Sequence, residues 1–365
     1  MSDPDLDRRV AGLFCVGFHG ASPSPEVLEL VRRGVHGIVL FGRNVVDAEQ
    51  VAALVAALKR AAGRPLLVAV DQEGGRVARL RAAQGFTELP PMRALGETAD
   101  AGLAREVGRL LGRELRAVGI DQDYAPVVDV DTNPGNPVIG DRSLSRDPRD
   151  VARLGAAIAL GLQDSGVAAC AKHFPGHGDT SQDSHVDLPR LPHPLERLLE
   201  VELVPFTALA RAGVASVMTA HVVFEALDPR RPATLSPQVM ALLRERVGFT
   251  GCAVSDDLQM KAVAEHFGLE EAAPGAVAAG CDALLVCHDA AVQHRAIDLV
   301  RGAVERGRIT RERLQEASER VAGLLRWAGP APDPSRARAE LRTPASLALA
   351  ARVAPRASGR DPTAA

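Results

Sequence analysis

The feature that most constrains this chain is a repeated alternation. Short apolar runs of strand length, most of them followed by charged or polar residues, are separated by stretches with helical periodicity. The runs fall at 12–18, 37–41, 66–70, 120–128, 166–171, 214–219, 252–255 and 283–287. Between the second and third, Asp47 stands as N-cap with Gln50 three residues on, apolar positions follow at Val51, Leu54, Val55 and Leu58, and Gly63 closes the segment. A second stripe, Leu103, Val107, Leu110, Leu111 and Leu115, runs to Gly119. Further helical stretches are expected around 151–163, 196–211, 236–246 and 269–279. Eight strands alternating with helices predict an α/β chain folded as a single closed (β/α)8 barrel of TIM type. An open doubly wound sheet fits less well, because no Gly-x-Gly-x-x-Gly turn follows the first run.

A last amphipathic helix carries Leu314, Ala317, Val321 and Leu324 before Gly329. The expected organisation is therefore one catalytic barrel domain over 1–329 and a tail over 330–365, rich in Ala, Pro, Arg and Ser, that either covers the barrel or stays disordered. No second domain and no internal repeat is seen.

In such a barrel the active site lies at the C-terminal ends of the strands, so the polar residues that close each apolar run are the ones to weigh. The third run ends at Asp71 and leads to Arg79, and the fourth leads to Asp129, Asp131 and a loop reaching Arg142. The fifth ends in Lys172 and His173, the sixth in Thr219 and His221, and the seventh in Asp256 and Asp257. The densest stretch, 172–185, reads Lys-His-Phe-Pro-Gly-His-Gly-Asp-Thr-Ser-Gln-Asp-Ser-His. Its proline and two glycines make it a poor helix and a poor strand, hence a loop on a strand end.

One rim thus supplies what glycoside hydrolysis requires, a carboxylate to attack the anomeric carbon and a second group to protonate the leaving oxygen. Asp256, held at a strand end, suits the first task. Asp183 and His185, two apart in a short turn, suit the second, since the carboxylate orients the imidazole and histidine titrates near neutral pH. Asp71, Arg79, Arg142, Lys172 and His173 are then expected to bind sugar hydroxyls. His221 either joins them or caps its strand end.

Plainer roles are expected elsewhere. His177 is a candidate brace for its own loop, Asp129 and Asp131 are expected to tie down the Asn-Pro-Gly turn, and Arg76 to be an ion-pair partner. His19, His36, His193, His266, His288 and His294 carry no functional assignment.

Composition narrows the partners. A net charge of -3 and 3% aromatic residues give little for nucleic acid to bind or stack on. No apolar run approaches the ~20 residues that span a bilayer, and the acidic start Met-Ser-Asp-Pro-Asp-Leu-Asp lacks a signal core, so a cytoplasmic protein is expected. Cys15, Cys170, Cys252, Cys281 and Cys287 are scattered in or beside strand candidates without Cys-x-x-Cys spacing. Buried reduced thiols are expected, with no metal and no cofactor.

These residues resemble bacterial beta-N-acetylhexosaminidases of glycoside hydrolase family 3 over about 8–328. The marks are Asp-Gln-Glu-Gly-Gly-Arg-Val (71–77), Asn-Pro-Val-Ile-Gly (136–140) leading to Arg142, and Lys-His-Phe-Pro-Gly-His-Gly with Asp-Ser-His (172–178 and 183–185). Met-Thr-Ala-His (218–221) and Ser-Asp-Asp-Leu (255–258) complete them.

The resemblance implies a retaining exo-acting beta-N-acetylglucosaminidase that works through a covalent glycosyl-enzyme. Asp256 would be its nucleophile, Asp257 a structural neighbour, and Asp183 with His185 an acid/base dyad. Asp71, Arg79, Arg142, Lys172 and His173 match positions that bind the N-acetylglucosamine unit. The substrates implied are muropeptide fragments of cell-wall recycling or chitin oligosaccharides, and the enzyme is expected to be a monomer. Alternatives on the same fold are an N-acetylglucosaminide phosphorylase, a beta-glucosidase and a non-catalytic sugar-binding barrel.

Overall fold

Eight parallel strands close on themselves in the structure, a computed structural model that describes residues 4–182 and 187–353. They are β1 (Phe14–Val16), β2 (Gly37–Leu40), β3 (Leu67–Val70), β4 (Gln122–Asp123), β5 (Ala168–Phe174), β6 (Ser216–Thr219), β7 (Cys252–Asp257) and β8 (Ala283–Val286). Each pairs with its neighbours in chain order, and β1 pairs with β8 at Phe14↔Leu284, so the sheet has no free edge. β1, β2, β3 and β8 are buried at every residue, as strands sandwiched between a packed interior and a ring of helices must be.

Local chemistry sets the helix ends. Asp47 accepts from the Gln50 N–H at 2.9 Å, and Gly63 takes the left-handed conformation that stops helix Ala48–Ala62. At the N-terminal end of the barrel, buried carboxylates fasten strand starts to helices. Asp121 receives Lys59, Arg116 and the Gly329 N–H, and Asp282 receives Arg244, Arg313 and Arg320.

Several elements differ from the sequence-based reading. Strand four was expected over 120–128, but its regular pairing covers only Gln122–Asp123. Beyond it the register against β5 slips by one residue, the Ala125 and Pro126 carbonyls accept from the Cys170 and Lys172 N–H groups, and an isolated bridge joins Val127 to Lys172, while Pro126 has no N–H to add to the ladder. β5 and β7 run further than their apolar residues suggested, so Lys172, His173, Asp256 and Asp257 lie within strands and not beyond them. The 196–211 segment is two helices, Leu195–Glu200 and Leu203–Arg211. Helix Pro25–Arg33, which carries four charged residues in nine, escaped the reading altogether.

The described part of the tail packs onto the barrel. Its short helix Pro334–Glu340 buries Ala337, and helix Pro344–Val353 buries Leu349 and Val353. Arg352 pairs there with Glu106 at 2.7 Å, and the Arg342 N–H reaches Glu114.

Candidate active site

The C-terminal ends of the strands surround a cavity of about 280 Å³ whose walls differ in character. Strands β3 to β5 and their loops present Asp71, Glu73, Arg79, Arg142, Lys172 and His173. Strands β6 to β8 and β2 present mainly Met218, Met260, Leu285, Cys287, Val39 and Phe41. Asp256 and Asp257 enter from the end of β7, where the apolar wall begins.

The polar wall is a buried charge network. Lys172 Nζ lies 2.7 Å from Asp71 Oδ1 and 2.6 Å from Glu73 Oε1. Glu73 also accepts both forks of Arg142, Nε and Nη2 each at 2.8 Å. Asp71 is approached on its other oxygen by Arg79 at 3.4 Å. Burial pushes the Glu73 carboxyl up, but Lys172 and Arg142 outweigh it and hold the group far below the usual carboxylate range. Burial likewise opposes the charge on Lys172, and Asp71 and Glu73 reverse that, so the ammonium keeps its proton. Glu73 was not singled out from the sequence. Its signal was there: in an extended segment residues two apart share a face, and Glu73 follows Asp71 by two.

Asp129 is the second organising carboxylate. Instead of tying down the Asn-Pro-Gly turn, it accepts from the backbone N–H of His173 at 3.1 Å and of His177 at 2.7 Å, and from His173 Nδ1 at 2.7 Å. Its buried carboxyl is pushed up by desolvation and pulled down further by His173 and His177, so it stays ionised. Nδ1 of His173 is thereby the protonated nitrogen, assigned from this bond, and Nε2 is left for a ligand.

The β5 loop is rooted with little slack. A Cβ on Gly178 would stand 1.8 Å from the Val130 carbonyl oxygen, so only glycine lets the two backbones touch. Asn136 holds the His177 carbonyl at 2.8 Å, and Asn133 reaches the Thr180 carbonyl at 3.2 Å. His177 bonds Thr180 through Nδ1 at 2.8 Å, and burial lowers its imidazole to about 4, so it is neutral at working pH. Asp183 and His185, the expected dyad, lie outside the described residues.

At the end of β7 the two aspartates do different things. Asp257 accepts from the N–H groups of Gln259 and Cys287 and pairs with His288 Nε2 at 3.1 Å, which ties β7 to the end of β8. Asp256 accepts only the Asp257 N–H among the described residues, on Oδ1 at 2.8 Å, which leaves Oδ2 to the cavity. Burial pushes the Asp256 carboxyl up, while His221, His173, the Asp257 N–H and Lys172 together hold it below its ordinary value. His288, given no role from the sequence, stands at the cavity rim with its ring 5.9 Å from that of Phe41.

The structure therefore brings Asp71, Arg79, Arg142, Lys172, His173 and Asp256 to one cavity. His221, one candidate for a sugar contact, is instead behind the wall: Nδ1 meets Thr234 Oγ1 at 2.8 Å, Nε2 meets the Asp257 carbonyl at 3.1 Å, and the residue is 1% exposed. Both nitrogens are spent inside the protein, so it supports the end of β7. Arg76 bonds the Val138 and Ile139 carbonyls and lies 3.6 Å from Asp141.

Comparison with known proteins adds to this geometry. Residues 5–324 match the Glycosyl hydrolase family 3 N terminal domain. A beta-hexosaminidase of Thiobacillus denitrificans is 44% identical over 260 residues, which cover 70% of this chain and 72% of that one. One from Tolumonas auensis is 41% identical over 284 residues, covering 77% and 84%. Among solved structures, a glycoside hydrolase family 3 beta-N-acetylglucosaminidase from Paenibacillus sp. superposes with a TM-score of 0.89 at 42% identity, over 95% of this chain and 68% of that one. NagZ from Neisseria gonorrhoeae, in complex with N-trifluoroacetyl-D-glucosamine, superposes with a TM-score of 0.78 at 35% identity, over 94% and 97%.

Proposed function

The chain belongs to glycosyl hydrolase family 3, and from that membership we propose that it is a retaining exo-beta-N-acetylglucosaminidase that removes terminal N-acetylglucosamine from muropeptide or chitin-type oligosaccharides. The observation that carries the reading is the shared mouth. An ionised carboxylate, Asp256, opens with an uncommitted oxygen into the cavity that Asp71, Arg79, Arg142, Lys172 and His173 line.

In the proposed reaction Oδ2 of Asp256 attacks the anomeric carbon while the glycosidic oxygen takes a proton from the acid and leaves. The Asp257 N–H on Oδ1 keeps the nucleophile ionised and stabilises it again as a leaving group when water opens the glycosyl-enzyme. Lys172, Asp71 and Arg79 would bind hydroxyls of the terminal sugar, and His173 would offer Nε2. Asp183 and His185 are proposed as the acid/base dyad, on the family resemblance of the Asp-Ser-His segment that follows the rooted β5 loop. A cytoplasmic site of action is part of the proposal and is supported by five free, buried cysteines.

The test is trapping with a fluorinated N-acetylglucosamine analogue followed by peptide mapping. A label on Asp256 supports the reading, and a label on any other residue overturns it. Nitrophenyl N-acetylglucosaminide should be preferred to nitrophenyl glucoside, and in phosphate buffer the product should be the free sugar; a sugar 1-phosphate would make the enzyme a phosphorylase.

A further inference from the structure

Asp123, at the end of β4, belongs to none of the roles above, yet its surroundings are unusual. The residue is fully buried. Oδ1 accepts the Gln72 N–H at 2.9 Å, and Oδ2, also buried, has no hydrogen-bond partner among the described residues. The charged groups that act on it are Lys172, Asp71 and Glu73, with the Cys170 thiol close by on β5. Two of these charges share its sign, and the one that opposes it, Lys172, is already engaged by Asp71 and Glu73. A carboxylate with one donor in such a place is poorly compensated, whereas a carboxylic acid needs far less.

What Asp123 holds is the residue between two cavity carboxylates. Gln72 sits between Asp71 and Glu73, and its side chain in turn accepts from the N–H groups of Arg79 at 2.9 Å and Leu80 at 3.0 Å and donates to the Leu80 carbonyl at 2.7 Å. The short antiparallel pair Gln72–Gly74 and Val77–Ala78 is built over this one side chain. Anchoring the Gln72 backbone thus sets three of the cavity's charged groups at once.

We infer that Asp123 is carried as the neutral acid and acts as a positioning residue for Asp71, Glu73 and Arg79. Burial acts in the same direction, lifting its carboxyl well above the ordinary value, with Lys172 opposing and the two carboxylates adding. The sign then follows. The folded-state pKa is raised, so the unfolded chain ionises first, and the wild type loses stability relative to a neutral substitute as pH rises from about 4 towards the folded value.

The experiment compares Asp123→Asn and Asp123→Ala with wild type, by thermal unfolding from pH 5 to 9 and by steady-state kinetics on an aryl N-acetylglucosaminide. For Asp123→Asn the Tm should rise relative to wild type by a few degrees as pH increases across that window. Its KM and kcat should stay within about threefold of wild type, because the amide oxygen can still accept the Gln72 N–H. Asp123→Ala should raise KM about tenfold and change kcat much less. A Tm difference that falls or stays flat with pH means an ionised Asp123 and overturns the inference, as does an Asn variant as impaired as the Ala variant. The kinetic arm depends on the proposed substrate and the unfolding arm does not, so a wrong substrate leaves the test of the acid intact. Should the Ala variant not fold, the Asn measurements decide alone.

Discussion

Replacing Glu73 by glutamine tests the polar wall directly. Glu73 takes three short contacts, two from Arg142 at 2.8 Å and one from Lys172 at 2.6 Å, with its own side chain 2% exposed. Removing one member of a buried charged set costs about 3–5 kcal/mol. Glutamine keeps one acceptor oxygen but turns an amide N–H₂ towards the guanidinium, so the retained bonds bring the expected loss to about 2–3 kcal/mol. That loss should be read by urea unfolding. Separately, KM should rise about tenfold, roughly 1.4 kcal/mol of binding, because Lys172 is then drawn to Asp71 alone and away from the proposed sugar position.

The acid dependence has a definite sign. Glu73 is held below the usual range in the fold, so its contribution is present above the unfolded value, about 4.3, and is lost as pH falls through the folded one. The stability gap between wild type and Glu73→Gln should therefore narrow in acid. A variant within about 0.5 kcal/mol of wild type at pH 7, with KM unchanged, would refute the view that Glu73 sets Lys172 and Arg142.

Asp256→Ala should lose on the order of 10⁴-fold in kcat while its Tm stays within about 2 °C of wild type, since the side chain bonds only its neighbour's N–H among the described residues. Comparable loss of folding and of turnover would count against a nucleophile. Gly178→Ala forces a Cβ against the Val130 carbonyl and should destabilise by about 3 kcal/mol, read by chemical denaturation. Restoration of wild-type stability in that variant would mean that the loop root is not packed as described. His185→Ala should slow substrates with poor leaving groups by about 10²-fold more than activated aryl ones, and equal losses on both would remove it as the acid.

The barrel was legible because most strands are, or begin as, runs of apolar residues bounded by turn signals, and burial on both faces demands that pattern. The ends of the strands were less so. Hydrophobicity stops where side chains begin to face the cavity, but backbone pairing does not, which is why β5 and β7 outlast their apolar residues. Of the cavity residues, those that close a strand run were visible in order along the chain. Glu73 was not, and Asp129, noted at its strand end, was expected to hold its own turn and not the β5 loop, because what defines both is distant: Glu73 bonds Arg142 across 69 positions, and Asp129 bonds His173 across 44. His221, for which a sugar contact and a strand-end cap were both open, shows the converse. It follows a strand end like the others, and only its partners Thr234 and the Asp257 carbonyl reveal that it faces into the protein.

The floor beneath the β5 loop has a practical consequence for redesign. Asn133 and Asn136 carry the backbone of that loop, and the same stretch of chain runs on to Arg142, which lines the cavity at the strand ends. Transplanting the loop alone into a related scaffold would sever it from its footing. The exchangeable cassette is the pair of segments, and any graft that moves it also imports a guanidinium that contacts Glu73, so altering specificity there means moving two walls together.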